Sequence, residues 1–180
     1  NARPLVVFDT LRRYLEYSGY KVNFAVNFTD IDDKIINKAN EENVSTEEIV
    51  ERYIAAFKED AKALNFYDNP VIHPRATEYI SHMIEFIEGL LDKGAAYEVN
   101  GDVYFDISKA KGYGKLSGKN VDDLESGARV DINEQKKNPL DFVLWKNKKP
   151  REPFWSAPWG EGRPGWHLEC SVMNREIFGD

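Results

Sequence analysis

Tyr97-Glu98-Val99-Asn100-Gly101-Asp102-Val103-Tyr104-Phe105 decides how the rest of the chain is read. Tyr97 and Val99, then Val103 and Phe105, alternate about Asn100-Gly101. Asn-Gly is the pair favoured by a two-residue type I′ turn, because both central residues take positive φ. The stretch therefore predicts a β-hairpin. Leu140-Asp141-Phe142-Val143-Leu144-Trp145 predicts another strand, and lysines, glycines and aspartates fill Ser108 to Asn138 between them. Upstream of Gly94 the pattern is of another kind, helices with one strand. A small β-rich module, about Gly94 to Pro150, thus interrupts a helix-and-strand architecture and reads as an insertion in an α/β fold.

Working toward the N-terminus, a long helix carries Ile80, Ile84, Ile87 and Leu91, starting near Pro74 and ending before Gly94. Asn65 to Pro70 is a turn cluster. Before it, Ser45-Thr46-Glu47-Glu48 starts a helix whose Ile49, Tyr53, Phe57 and Leu64 form an expected core stripe. A short helix carries Ile31, Ile35 and Ala39. The chain opens with a helix around Arg3-Pro4, with Leu5, Phe8, Leu11 and Leu15 at helical spacing and Gly19 as its cap. Tyr20 to Phe28 alternates as a strand and runs into Thr29-Asp30-Ile31-Asp32-Asp33. Ligands of open α/β sheets lie beyond the carboxyl ends of strands, which makes Thr29 a candidate. Asp30 or Thr29 can cap the next helix, with the other aspartates complementing its dipole; capping better explains Asp32 and Asp33, and Thr29 fits either role. His73 and His82 read as a helix-start residue and a partly exposed helix residue, not as a metal pair.

Toward the C-terminus, Pro158-Trp159-Gly160 and Gly162-Arg163-Pro164-Gly165 read as turns, followed by a helix from Trp166. The turns deliver Trp166, His167, Glu169 and the single cysteine, Cys170, to a helix N-terminus. Unpaired backbone N–H groups and the positive dipole end suit a ligand there, and would lower a thiol pKa. The plainer alternative buries Trp166 and Cys170 in the core.

The bulk composition narrows the classes. At 180 residues, 42% apolar and 31% charged, the chain can hold one core with a substantial insertion. No apolar run is long enough to span a membrane. One cysteine excludes an internal disulfide and fits a reducing compartment, here expected to be the cytoplasm. A net charge of -7 argues against a wholly basic nucleic-acid coat, although Lys146, Lys148, Lys149 and Arg151 cluster.

Four stretches carry a resemblance. They are Asn1-Ala2-Arg3-Pro4, Asn27 through Lys34, Lys115-Leu116-Ser117-Gly118 through Gly127-Ala128-Arg129, and Gly162 through Cys170. Their order and spacing resemble the cysteinyl-tRNA synthetases, which are class I aminoacyl-tRNA synthetases, over nearly the whole chain. The resemblance implies a Rossmann-like catalytic domain: a first part at 1–93, a connective insertion at 94–150, and the start of a second part at 151–180. It implies that cysteine is activated with ATP and Mg to cysteinyl-adenylate and passed to tRNA(Cys), by a monomer. It implies zinc in the amino-acid pocket, with Cys170 as a ligand and Thr29 and Trp166 lining the pocket. Asn1 matches the last position of a His-Ile-Gly-Asn nucleotide signature. No residue of this chain is carried over as catalytic. The signature histidine, the other zinc ligands and the Lys-Met-Ser-Lys-Ser loop are expected outside residues 1–180, so the chain alone is expected to be inactive.

Such a zinc would serve selection. A thiolate is a strong soft ligand and the serine hydroxyl is a poor one, where shape alone separates the two weakly. Two rivals stay open at this stage. One is a ligase that activates cysteine similarly but transfers it to an amino-sugar, as in mycothiol synthesis. The other is a binding module in which the glycine turns and Trp166 merely pack.

Overall fold

The computed structural model describes residues 2–66, 71–116, 118 and 135–179. It divides into two compact units, Asn1–Glu78 and Tyr79–Asp180. Helix and sheet are mixed, in keeping with the expected α/β class.

In the first unit, helix α1 (Ala2–Tyr17) leads to strand β1 (Phe24–Ala25). Helices α2 (Asp33–Glu42) and α3 (Thr46–Ala63) follow, then strand β2 (Val71–Ile72). β1 and β2 are parallel, with Phe24 opposite Val71 and Ala25 opposite Ile72. Parallel neighbours need a long crossover, which α2 and α3 supply. The ladder continues irregularly: the Val26 amide donates to the Ile72 carbonyl at 2.9 Å, and the Phe28 amide to that of Pro74 at 2.9 Å. The expected strand over Tyr20–Phe28 is thus two regular residues and an extended tail. Its partner falls where a helix start was expected, and Pro74, lacking an N–H, cannot continue a regular strand.

Helices α2 and α3 begin at side-chain caps, whereas the helix expected from near Pro74 is regular only from Ile80. The Asp32 carboxylate accepts from the Lys34 amide at 2.9 Å, and Ser45 Oγ from the Glu48 amide at 3.1 Å, satisfying otherwise orphaned donors. The buried faces differ from the expected stripes. In α3 the core residues are Ile49, Val50, Ile54 and Ala61, whereas Tyr53 and Leu64 are exposed. In α1 the buried pair is polar, Asp9 and Arg12, while Phe8 and Leu11 are exposed. Arg12 donates to the Asp9 carboxylate at 2.6 Å, and its guanidinium lies over the Phe24 and Phe66 rings at 5.3 and 5.8 Å. Aromatic faces and a paired carboxylate make burial of this cation tolerable, so it displaces the aliphatic stripe.

The second unit holds helix α4 (Ile80–Asp92), strands β3 (Ala96–Val99) and β4 (Asp102–Phe105), strand β5 (Phe142–Asn147), strands β6 (Trp155–Ala157) and β7 (Gly160–Pro164), and helix α5 (Trp166–Phe178). The strands form one sheet in the order β3-β4-β5-β7-β6, every neighbouring pair antiparallel. It takes its first three strands from within 94–150 and its last two from beyond. The hairpin turn is as predicted: Asn100 has φ 54° and Gly101 φ 85°. Val103, Tyr104, Leu144 and Trp145 from the sheet are buried, as are Met83 and Ile87 of α4 and Leu168, Val172 and Met173 of α5. A buried carboxylate, Asp141, accepts from the Tyr97 hydroxyl at 2.7 Å and from the amides of Ile107 and Asn138 at 3.0 Å each. Desolvation, then that carboxylate, pushes the Tyr97 hydroxyl pKa up.

Gly162 to Gly165 are not the turn that their composition suggested. Gly160–Pro164 is a strand between β5 and β6. A Cβ on Gly162 would lie 2.2 Å from the Lys146 carbonyl oxygen and 2.4 Å from Trp145 Nε1. A Cβ on Gly165 would lie 2.2 Å from the Val143 carbonyl oxygen. These glycines are required by close approach to β5, not by positive φ.

Candidate functional site

β7 runs directly into α5, with Gly165 at its N-cap in an extended conformation and its amide bonded to the Leu144 carbonyl at 2.7 Å. The sheet therefore fixes where α5 begins. Leu168, Glu169, Val172 and Met173 turn inward. Trp166, at 61% exposure, and Cys170 share the outward face, four residues apart. The alternative that buries these two in the core is overturned. His167 lies beside the Trp166 ring at 5.5 Å and edge-on to Phe142 at 5.1 Å. The helix end thus presents an aromatic wall and a thiol together.

The Cys170 thiol does not behave as the helix dipole alone would have it. Partial burial of the sulfur, and next the Glu169 carboxylate beside it, push its pKa up. Cys170 is the fifth residue of α5, past the four unsatisfied amides that draw an anion. At neutral pH the thiol is protonated until something displaces the proton.

Thr29 stands at the carboxyl end of the parallel pair, half-buried, and lines a cavity of about 300 Å³ with Val26, Phe28, Ile35, Tyr53 and Phe57. Phe28 is stacked on His73 at 4.9 Å and meets Phe57 edge-on at 5.4 Å. His73 Nδ1 lies 2.8 Å from the Val26 carbonyl oxygen, so that nitrogen carries the proton. His73 therefore braces the β1 tail and does not start a helix. The sequence reading missed Asp30 as anything but a cap candidate: it is buried and bonded to Thr77, 47 residues on. No local pattern signals such a pair.

Thr29 belongs to the first unit; Trp166 and Cys170, which the structure does bring together, belong to the second. Asn1, Ser117 and the Gly127–Arg129 stretch lie outside the described residues. Among the described residues, no three His, Cys, Asp or Glu side chains stand close enough to hold a metal ion. Zinc takes three or four protein ligands and Cys170 supplies one, so the described residues do not by themselves fit a zinc ion. No described helix is long and apolar enough to cross a membrane. Of the clustered lysines, Lys148 is engaged, its ammonium 3.0 Å from Glu161 and 3.4 Å from the Phe154 ring centre.

The family model for the tRNA synthetases class I (C) catalytic domain matches residues 1–180. The chain is 64% identical over 181 aligned residues to a cysteine--tRNA ligase of Finegoldia magna, 62% to one of Fusobacterium nucleatum and 57% to one of Clostridioides difficile. Each alignment covers all of this chain, and 39%, 38% and 38% of the respective relative. The chain therefore spans less than two fifths of the length of these curated relatives. With the match running from end to end, this chain belongs to the class I tRNA synthetase (C) catalytic domain family.

Proposed function

We propose that this chain is the central part of a cysteine--tRNA ligase, which activates cysteine with ATP and transfers it to tRNA(Cys). The observation that carries the reading is the end-to-end identity of 57–64% to proteins of that name. In this reading 1–93 and 151–180 are parts of the catalytic domain and 94–150 is the connective insertion. Trp166 walls the amino-acid pocket and excludes water, and Thr29 offers a hydroxyl at a strand end. Asn1 lies at the nucleotide site. Cys170 is one ligand of a zinc site completed by residues beyond this chain, and ATP acts with Mg. The proposed setting is a cytoplasmic monomer.

The division of labour follows from the chemistry. Adenylation has little covalent work for side chains and rests on positioning and on charge stabilisation of the phosphates. Thr29, Trp166 and Cys170 shape and dry the amino-acid side of the reaction. They do not handle phosphate, which is why the chain by itself is proposed to be inactive.

The test uses full-length protein in two steps. Cysteine-dependent ATP–pyrophosphate exchange, followed by charging of tRNA(Cys), is the expected result. Exchange with transfer only to an amino-sugar acceptor would replace the ligase assignment. Absence of cysteine-dependent exchange would remove the enzymatic reading altogether.

A further inference from the structure

Three features of the first unit converge on Thr29. Phe28, on one side of it, is tied to the segment after β2: it bridges to Arg75, and its carbonyl accepts from the Ala76 amide at 3.3 Å. Asp30, on the other side, is buried, and its carboxylate accepts from the Thr77 amide at 3.0 Å and from Thr77 Oγ1 at 2.5 Å. Asp30 is not needed as a helix cap, because Asp32 already caps α2. A buried carboxylate whose two oxygens are both taken by one threonine is a tie between segments, and charge-assisted bonds are the strong ones.

We propose that Asp30 and Thr77 are positioning residues that fix the strand end carrying Thr29, and thereby set binding of the amino-acid substrate. The inference rests on the proposed function, in which Thr29 lines the amino-acid pocket. Phe28 is held through its backbone and Asp30 through its carboxylate, so the backbone of Thr29 is fixed on both sides, at the rim of the cavity it lines. Reacting groups misplaced by about 1 Å lose on the order of a hundredfold in rate, so a tie of this kind is worth keeping far from the chemistry. A tie that merely stabilised the fold would act on every substrate alike. A tie that places Thr29 acts on the amino acid.

The test is steady-state exchange by full-length protein with cysteine and ATP varied separately, on Thr77→Val, Thr77→Ser and Asp30→Asn. Thr77→Val keeps the shape and the amide bond and removes the hydroxyl donor. Its KM for cysteine is expected to rise about tenfold, the scale of one hydrogen bond to a charged group. Its KM for ATP should stay at the wild-type value even though its thermal midpoint falls, because a buried carboxylate oxygen loses its donor, and Thr77→Ser should restore cysteine binding to within about twofold. Asp30→Asn keeps an acceptor for the amide and should show the same split, and it carries the test should Thr77→Val not fold. Unchanged cysteine KM in folded Thr77→Val and Asp30→Asn would overturn the proposal. So would equal rises for both substrates, or a serine variant as poor as valine. Wild-type protein lacking cysteine-dependent exchange would instead defeat the underlying functional reading, which separates the two failures.

Discussion

Gly165→Ala tests how the sheet places the start of α5. Gly165 has φ −82°, which alanine adopts freely, so any cost is steric. The added methyl would stand 2.2 Å from the Val143 carbonyl oxygen and 3.0 Å from its carbon. Both are backbone atoms, which cannot rotate aside, so β5 and β7 must separate locally. Separation stretches the 2.7 Å bond from the Gly165 amide to the Leu144 carbonyl, beside the pairing of Trp145 with Pro164. Overpacking of a tight site and one strained buried backbone bond together cost about 2–4 kcal/mol. In a chain of this size that lowers the thermal midpoint by about 5–15 °C. Tryptophan fluorescence is the assay, because all four tryptophans lie in Tyr79–Asp180 and report that unit. Gly89→Ala is the control: it sits in α4 with nothing within 4 Å of its would-be Cβ, and should stabilise by about 0.5–1 kcal/mol. A Gly165→Ala chain as stable as wild type would refute the close-approach account of these glycines.

Alkylation of Cys170 by iodoacetamide should be slower at neutral pH than that of an unstructured cysteine peptide. The thiolate is the nucleophile, and a raised pKa leaves less of it; the rate should still be climbing with pH where the peptide has levelled. Glu169→Gln should bring the profile back toward the peptide's, and a neutral-pH rate above the peptide's would contradict the stated causes. In full-length protein, exchanging Lys146 and Lys149 for Gln should flatten the salt dependence of tRNA binding, by about 0.7–0.9 in slope for each phosphate no longer neutralised. Lys148→Gln, at an ammonium that meets Glu161 and Phe154, is measured alongside, and an unchanged slope in all three would remove the cluster from tRNA binding.

What was legible in the sequence was what neighbours along the chain decide. Asn100-Gly101 encodes its turn through the φ of two residues, and Asp32 and Ser45 encode caps through the next few amides. What was not legible depends on distant partners. β2 is two residues whose identity as a strand comes from β1, 47 positions earlier. Arg12 is buried because Phe24 and Phe66 offer ring faces, which the spacing of Leu5, Phe8, Leu11 and Leu15 cannot announce. Gly162 and Gly165 look like turn residues because glycine serves two purposes, positive φ and close approach, and only the sheet tells them apart. The direction of the Cys170 pKa was misjudged for a similar reason. The dipole is visible in sequence, but the burial of the sulfur is not.

The claim that Cys170 serves substrate selection is tested most directly by Cys170→Ser in full-length protein. Zinc content and the ratio of cysteine-dependent to serine-dependent ATP–pyrophosphate exchange are measured on the same folded sample. The account predicts that zinc is lost and that the preference for cysteine over serine collapses with it, because a hydroxyl is a poor replacement for a thiolate on a soft site. Zinc retained in full, with cysteine activation and selectivity unchanged, would contradict it.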